Sequence, residues 1–366
     1  MDRTFSPQPN PGILEISPYV GGGSTVPGRD DVLKLSSNEN PLGPGDAARD
    51  AARDALRIPE VYPASDHLHL RTAIAEVHGL PVEGIVCGAG SDELIALLCR
   101  IYAGPGGEVV FTEHGFAMYR ISAQAAGAEP VAVPERDRVL DPDQLAAALS
   151  DRTRLVFIAN PNNPTGTMVS ETVVRKLADA IPPTALLVLD GAYAEYVEEF
   201  DGGATLVGER GNVVMLRTFS KIHGLASLRV GWAYAPPDVC DMLNRVRGPF
   251  NIGAPGLAAA AAAVRDRDHV TRSRTMNTRL RSRLHQQLAG LGLESDVSMA
   301  NFLLIRFESP AEAGAAHSHL LSQGVITRRV DEYNLPSAIR ATIGDEAGCR
   351  RLFDGLESFR NRREAG

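Results

Sequence analysis

Lysine is almost absent from this sequence: only three of its 37 basic residues are lysines, at positions 34, 176 and 221. An arginine side chain keeps its positive charge, whereas a lysine amine can lose its proton and act as a nucleophile. A chain that otherwise uses arginine as its cation draws attention to the few lysines it keeps. Lys221 lies in the run TFSKIHGLASLRVGW, residues 218–232.

Cysteine and long apolar runs are also scarce. The four cysteines are widely separated and form no C-x-x-C pair, and the histidines form no H-x-x-x-H pair. This pattern indicates reduced thiols and predicts no metal site. No apolar run approaches the roughly 18 residues that a membrane-spanning helix needs, and the N-terminus lacks a signal-peptide pattern. We therefore expect a cytoplasmic protein without a membrane partner.

An excess of positive charge is the third absence. The net charge is −8 and the isoelectric point is about 5.6, which argues against a nucleic-acid-binding protein. A small anionic substrate is still compatible with this balance, because a few arginines can make one site positive. The length of 366 residues predicts about two domains.

The middle of the chain predicts a helix-covered, mostly parallel sheet. Short β-branched runs without polar alternation indicate strands buried on both faces, and Ala/Leu-rich segments between them indicate helices. This is the pattern of an α/β fold, whose ligands bind at the carboxyl ends of the strands. The predicted strands are 84–87, 108–111, 155–159, 185–190 and 213–217, and the predicted helices are 92–102, 119–126 and 171–180.

The two ends of the chain have different textures. Residues 1–35 are rich in proline and glycine and predict an extended arm. After about residue 255 a long helical region, 256–288, precedes predicted strands at 302–306, 325–328 and 339–343, which indicates a smaller α+β domain. We expect an arm and part of the small domain in residues 1–40, a large domain in 41–254 and the small domain in 255–366.

Glycines and asparagines follow two of the predicted strands. Gly88-Ala89-Gly90-Ser91-Asp92 comes after the first strand and opens a helix, so its backbone N–H groups could hold an anion. A plain turn, or a nicotinamide-binding loop built on the same G-x-G, would give a similar pattern. The run NPNNPTG (160–166) predicts a rigid turn that fixes asparagine side chains, with an ordinary Asx turn as the alternative.

A carboxylate and an amine follow two further strands. Asp190 ends a fully apolar strand, where an unpaired charge would be costly to bury, although it could instead cap a helix. Lys221 follows the strand 213–217 and could form a Schiff base with a carbonyl compound. Pyridoxal 5′-phosphate (PLP) needs a lysine for its aldehyde, a carboxylate for its ring nitrogen and a cradle for its phosphate.

Over nearly its whole length the sequence resembles the fold-type-I PLP-dependent aminotransferases and, within them, the histidinol-phosphate aminotransferases. That family implies a three-layer α/β fold with a smaller α+β domain. The lysine, NPTG and D-x-x-Y motifs carry the wider resemblance, and the arm, the NENP segment and the spacing of the C-terminal arginines carry the narrower one. The matching segments are SPYVGGGSTVPG, LSSNENPLGP, VYPASDHLHLR, GAGSDEL, HGFAMY, NPNNPTG, LDGAYAEY, TFSKIHGLASLRVGW, FNIGAPG and AIRATIG.

The resemblance implies cofactor-binding roles for matching positions. Lys221 would bind the aldehyde and transfer the substrate proton, and Asp190 would pair with the ring nitrogen. Tyr193 and Asn163 would bond the phenolic oxygen, and Phe116 would stack on the ring. The phosphate would be held by Gly90, Ser91, Asp92, Ser220 and Arg229, joined by Tyr62 of a second subunit, so that the active form would be a homodimer.

The resemblance also implies a substrate side and a reaction. Tyr19 and Asn40 would line the substrate site, Arg340 would bind the carboxylate of the amino-acid partner, and Arg328 rather than Arg329 would face the distal anion. The implied reaction transfers an amino group between L-glutamate and imidazole-acetol phosphate in histidine biosynthesis. Transamination of aromatic amino acids or decarboxylation of a phosphorylated amino acid are the alternatives.

Overall fold

The computed structural model describes residues 8–364, which form α-helices on both faces of a large sheet and a second, smaller sheet. The strands are β1 Leu33–Lys34, β2 Ile85–Gly88, β3 Glu108–Thr112, β4 Glu129–Val133, β5 Thr153–Ala159, β6 Leu186–Asp190, β7 Val213–Thr218, β8 Gly231–Tyr234, β9 Glu294–Ser295, β10 Phe302–Arg306, β11 Val325–Ile326, β12 Arg328–Arg329 and β13 Ala338–Thr342.

The helices follow the strands of the large sheet and then build most of the C-terminal part. They are α1 Asp46–Ala55, α2 Leu68–His78, α3 Ser91–Tyr102, α4 Ala117–Ala125, α5 Pro142–Ala147, α6 Glu171–Ala180, α7 Ala204–Glu209, α8 Pro237–Val246, α9 Ala254–Arg265, α10 Arg267–Gly290, α11 Pro310–Ser322 and α12 Glu346–Glu364.

The large sheet has seven strands in the order β2-β8-β7-β6-β5-β3-β4. Only β8 runs antiparallel to its neighbours β2 and β7, and the remaining pairs are parallel. The carboxyl ends of β2, β5, β6 and β7 therefore lie at one edge of the sheet. The expectation of a mostly parallel α/β sheet is confirmed.

Both faces of this sheet are buried, which explains why its strands show no polar alternation. Side chains of successive strand residues point to opposite faces. Leu187 thus packs in a cluster with helices α2 and α9, whereas Val188 packs in a second cluster with α3, α4 and α8. The result is a three-layer arrangement of helix, sheet and helix.

The C-terminal part has its own core. Strands β12, β13, β10 and β9 form an antiparallel sheet, covered by α10, α11 and α12. The N-terminal segment joins this core, because β1 pairs in parallel with β11 and Leu35 is buried among its apolar residues. We propose that the chain passes from this smaller unit into the large unit after β1.

Two predicted elements are each interrupted in the structure. The helix expected over 256–288 is two helices, because Asp266 leaves helical geometry and its side chain caps α10 at the His269 N–H. The strand expected over 325–328 is split into β11, which pairs with β1, and β12, which pairs with β13. The elements that were not predicted are the helices α1, α2, α5, α7 and α8 and the strands β1, β4, β8 and β9.

The domain division expected at residues 254 and 255 remains a proposal, and the packing argues for moving it. Helix α9 lies against α1 and α2, and its buried alanines belong to the core of the large sheet. Helix α10 contributes to the core of the small sheet. We therefore propose that the small unit begins with α10 at Arg267.

Gly231 allows two loops to meet at the carboxyl edge of the large sheet. It starts β8 opposite Gly88, and a Cβ atom there would lie 2.4 Å from the Ser91 nitrogen and 2.5 Å from the Gly90 carbonyl carbon. Both contacts are with backbone atoms, which cannot rotate away. A side chain at position 231 would therefore displace the turn between β2 and α3.

We expect Gly231→Ala to destabilise the fold by about 1–3 kcal/mol, because the added methyl overpacks rigid backbone. Thermal unfolding followed by circular dichroism measures this loss. Gly208→Ala is the matched control: Gly208 lies in α7 with nothing near its Cβ position, so alanine there should not lower the melting temperature. Equal melting temperatures for the two variants would contradict the expected clash.

Candidate active site

A cavity of about 370 Å³ opens at the carboxyl edge of the large sheet, between the strand ends and the small unit. Most of the predicted site residues line it, and four do not: Gly90, Tyr62, Asn40 and Arg328. The predicted residues on its wall are Tyr19, Ser91, Asp92, Phe116, Asn163, Asp190, Tyr193, Ser220, Lys221, Arg229 and Arg340.

Lys221 extends into this cavity from the loop after β7. Its Nζ donates a hydrogen bond to the Ser37 carbonyl at 3.3 Å and lies 5.7 Å from the ring centre of Tyr193. Burial lowers the pKa of the Lys221 amine to about 8, and the charge of Arg340 acts in the same direction. A substantial fraction of the amine is thus neutral near physiological pH, as a nucleophile requires.

Asp190, the last residue of β6, is held by two hydrogen bonds. Tyr119 Oη donates to Oδ2 at 2.7 Å, and the Ala192 N–H donates to Oδ1 at 3.1 Å. Burial raises the pKa of Asp190 to about 6, while these two bonds act to lower it. The carboxylate is therefore oriented, desolvated and ready to pair with a cation in the cavity.

Tyr119 is a site residue that the sequence analysis did not single out. It is fully buried, and its ring stacks on Phe157 at 4.7 Å between centres. The available signal was its spacing: Tyr119 follows Phe116 by three residues at the start of α4, which puts both rings on one side of the helix. Phe116 lines the cavity, and Tyr119 reaches Asp190.

A second group of polar contacts lies on the small-unit side of the cavity. Asn38 Nδ2 donates to Tyr193 Oη at 2.9 Å, and Arg340 donates to Asn163 Oδ1 at 2.6 Å and to the Ser36 carbonyl at 2.8 Å. Burial raises the pKa of Tyr193 to about 12, so its phenol keeps the proton. Asn38 was missed because nothing in the sequence distinguished it from Asn40.

Asn40 does not line the cavity as expected. Its side-chain amide donates to the Ile222 carbonyl at 2.7 Å and to Ser273 Oγ at 2.9 Å. The Ile222 carbonyl belongs to the loop that carries Lys221, and Ser273 lies in α10. Asn40 therefore acts on the site through the position of that loop, and direct contact with a substrate is not supported.

The turn between β2 and α3, which is the predicted anion cradle, lies at one end of the cavity. Gly90 has a φ of 88°, and α3 begins at Ser91 with its free N–H groups toward the cavity end. Arg229 donates to Ser220 Oγ at 3.1 Å and pairs with Asp92 at 3.0 Å. A Cβ at Gly90 would lie 2.4 Å from the Arg229 guanidinium, so glycine lets the cation approach the helix N-terminus.

Two arginines stand side by side on the small sheet. Arg328 in β12 pairs in register with Arg340 in β13, so both side chains project from the same face. Arg328 forms an ion pair with Glu332 and lies 5.7 Å from the ring centre of Tyr19. Arg329 lies on the opposite face of β12 and pairs with Asp331.

Tyr62 lies outside the cavity of its own chain. The residue is 77% exposed, and its ring stacks on Phe250 at 4.4 Å between centres. It belongs to an apolar groove of about 640 Å³ formed mainly by α1, α9 and the segment between α1 and α2. Several large apolar side chains are exposed in or beside it, namely Leu56, Ile58, Val61, Leu68 and Phe250.

Residues 8–364 contain no group of three or more histidine, cysteine or acidic side chains arranged to hold a metal ion. No helix in the same range is long and apolar enough to span a bilayer.

Comparisons with known proteins assign the family. Residues 30–356 match the family model of aminotransferase class I and II. The chain is 59% identical over 352 residues to a histidinol-phosphate aminotransferase of Ruegeria sp. (strain TM1040), covering 96% of this chain and 97% of that protein. It is 57% identical over 359 residues to a histidinol-phosphate aminotransferase of Ruegeria pomeroyi, covering 98% and 99%.

A solved structure gives the same result for the fold. The crystal structure of a histidinol-phosphate aminotransferase from Sinorhizobium meliloti, in complex with pyridoxal-5′-phosphate, matches with a TM-score of 0.89 at 27% identity, covering 98% of both chains. The part of the chain that matches the family model, residues 30–356, includes the strand ends, the cradle and Lys221. This chain belongs to the aminotransferase class I and II family.

Proposed function

We propose that this protein is a PLP-dependent aminotransferase that interconverts L-histidinol phosphate and imidazole-acetol phosphate, with 2-oxoglutarate and L-glutamate as the other pair. The observation that carries the proposal is the cavity in which a lysine with a lowered pKa, a buried carboxylate and an anion cradle meet beside two arginines. Relatives named histidinol-phosphate aminotransferase are 56–59% identical over nearly the whole chain, which supports this substrate over aromatic amino acids.

The residues of the cavity fit PLP at three separate points. Lys221 offers an amine to the aldehyde, Asp190 offers a carboxylate to the ring nitrogen, and the cradle with Arg229 offers donors to the phosphate. When bound, PLP supplies an electron-accepting ring that stabilises negative charge on the substrate carbon. Asp190 favours that chemistry by keeping a negative charge beside the ring nitrogen, and Tyr119 keeps the carboxylate in place.

Lys221 has the second chemical role. Its Nζ would take a proton from the substrate carbon and deliver it to the cofactor, which is general acid and base catalysis by one amine. A pKa of about 8 suits both directions, because the amine can hold or release a proton near neutral pH. Asn40 assists by fixing the loop next to Lys221.

Arg340 and Arg328 supply the charge that selects substrates. Arg340 is 6% exposed and has no carboxylate within ion-pair distance among residues 8–364, so its charge is available for the carboxylate of the amino-acid partner. Arg328 would meet the distal anion, which is the phosphate of one substrate or the side chain of glutamate. Tyr19, which contacts the Arg328 guanidinium, lines the cavity.

We also propose that the protein acts in the cytoplasm as a homodimer. The four cysteines are free and buried, in keeping with a reducing compartment. The apolar groove around Tyr62 is a surface that a second copy of the chain would cover. In such a dimer Tyr62 would reach the cofactor phosphate of the partner.

The substrate assignment predicts a clear order of affinities. L-Histidinol phosphate should change the visible absorption of the PLP-loaded enzyme at concentrations at least about tenfold lower than L-phenylalanine does, because only the former offers a phosphate to the arginines. Preference for phenylalanine would move the protein to the aromatic aminotransferases.

A Lys221→Ala variant should fold but show almost no turnover, because it lacks the amine that binds the aldehyde and moves the proton. Turnover by this variant would remove the proposed role of Lys221.

The lowered pKa of Lys221 predicts how PLP capture depends on pH. Only the neutral amine attacks an aldehyde, so the rate at which the PLP-free protein binds PLP covalently should rise about tenfold per pH unit below pH 8 and level off above it. Stopped-flow absorbance measures this rate. Lys221→Arg is the control and should show no such phase. A rate still rising at pH 10 would mean that the amine has an ordinary pKa.

The proposed dimer predicts that a charge introduced in the groove weakens the dimer and that a charge introduced elsewhere does not. The wild-type protein should have the mass of two chains in light scattering, and Ile58→Asp should shift it toward one chain by burying a charge. Val297→Asp is the matched control, because Val297 is 74% exposed but does not line the groove. A dimer that is weakened equally by both variants, or by neither, would place the interface elsewhere.

A further inference from the structure

The paired arginines of the small sheet have unequal partners. Like charges directly opposite each other on neighbouring strands are unfavourable, so each guanidinium needs compensation. Arg340 has only neutral acceptors, Asn163 and the Ser36 carbonyl, among the described residues. Arg328 is paired with a full negative charge, the carboxylate of Glu332. One arginine is thus open to an anionic ligand, and the other is already neutralised by the protein.

Glu332 is placed so that its side chain can move while its backbone stays fixed. It lies in the short turn Asp331–Tyr333 between β12 and β13, and its side chain is 40% exposed. The next residue, Tyr333, is buried, and its carbonyl contacts His114 Nδ1 at 2.7 Å across the cleft. The turn is therefore anchored on the large unit, and the partly exposed carboxylate of Glu332 has room to rotate toward water.

We propose that Glu332 is a displaceable internal counterion of Arg328 and determines how strongly the enzyme discriminates between anionic and neutral substrates. The inference rests on the proposed function, in which Arg328 faces the distal anion. An anionic ligand must displace Glu332 from the Arg328 guanidinium. Otherwise it must share the guanidinium with Glu332, and the two negative charges then repel each other. A ligand with a neutral side chain leaves the pair intact, so Arg328 is never left buried without a counterion.

This arrangement lowers the affinity for anionic ligands and allows neutral ligands to bind as well. Without the carboxylate, Arg328 would bind a phosphate more tightly, but it would be an unpaired, 9% exposed cation whenever a neutral substrate or no substrate was present. With the carboxylate, the site accepts ligands that differ in charge at this position. Glu332 therefore acts on substrate selection without contacting the reacting atoms.

The test compares Glu332→Gln with Asp331→Asn in the PLP-loaded enzyme. Asp331 is the adjacent carboxylate, pairs with the outward Arg329, and controls for the same change in net charge. Each protein is titrated with L-histidinol phosphate, L-glutamate and L-phenylalanine, and the ligand concentration that gives half of the visible spectral change is recorded. Melting temperature and PLP content establish that each variant is folded and loaded, and Glu332→Ala serves as a second variant.

Glu332→Gln should lower the half-saturating concentration of both anionic ligands about fivefold and leave that of phenylalanine within about twofold. Asp331→Asn should change none of the three by more than about twofold. Equal behaviour of the two variants, or weaker anion binding by Glu332→Gln, would overturn the proposal. If the wild-type enzyme prefers phenylalanine to histidinol phosphate, the proposed substrate is wrong, and the ratio of glutamate to phenylalanine still decides the role of Glu332.

Discussion

The chemistry of this site depends on keeping the Asp190 carboxylate away from water without letting it turn. Desolvation alone would make the carboxylate neutral, and a neutral acid could not hold a proton on a partner ring. The phenol of Tyr119 and the N–H of Ala192 supply the two bonds that oppose this tendency. Tyr119 can do so only because the stack on Phe157 fixes its ring inside the large unit.

The other half of the site depends on the small unit and the N-terminal segment. Residues after β1 run along β13, where Thr342 Oγ1 accepts from the Asn38 N–H at 2.9 Å and Asn301 donates to the Asn38 carbonyl at 3.0 Å. Asn38 is thereby held against Tyr193, and Ser36 against Arg340. Two separate cores thus meet at one cavity, and the segment from 35 to 38 connects them.

The strand ends could be predicted because buried parallel strands leave a strong signal: continuous apolar runs followed by polar residues. Asp190 and Lys221 were found in this way. Contacts between distant segments leave no such signal, so Asn38 could not be separated from Asn40, nor Tyr119 from a packing residue. The break at Asp266 was missed because a capping aspartate inside an arginine-rich helical pattern does not stand out. Tyr62 shows a third limit, since a single chain does not contain the partner it would touch.

The scarcity of lysine has a practical consequence for labelling. Lys34 forms an ion pair with Glu39, and Lys176 forms one with Asp143, each at 2.6 Å. Among the lysines, all of which lie in the described part of the chain, Lys221 alone has no carboxylate within ion-pair distance. In the PLP-free protein, an aldehyde probe should therefore react first at Lys221, whose amine also has a lowered pKa. The protein can carry a reporter group at its catalytic centre without any engineered residue.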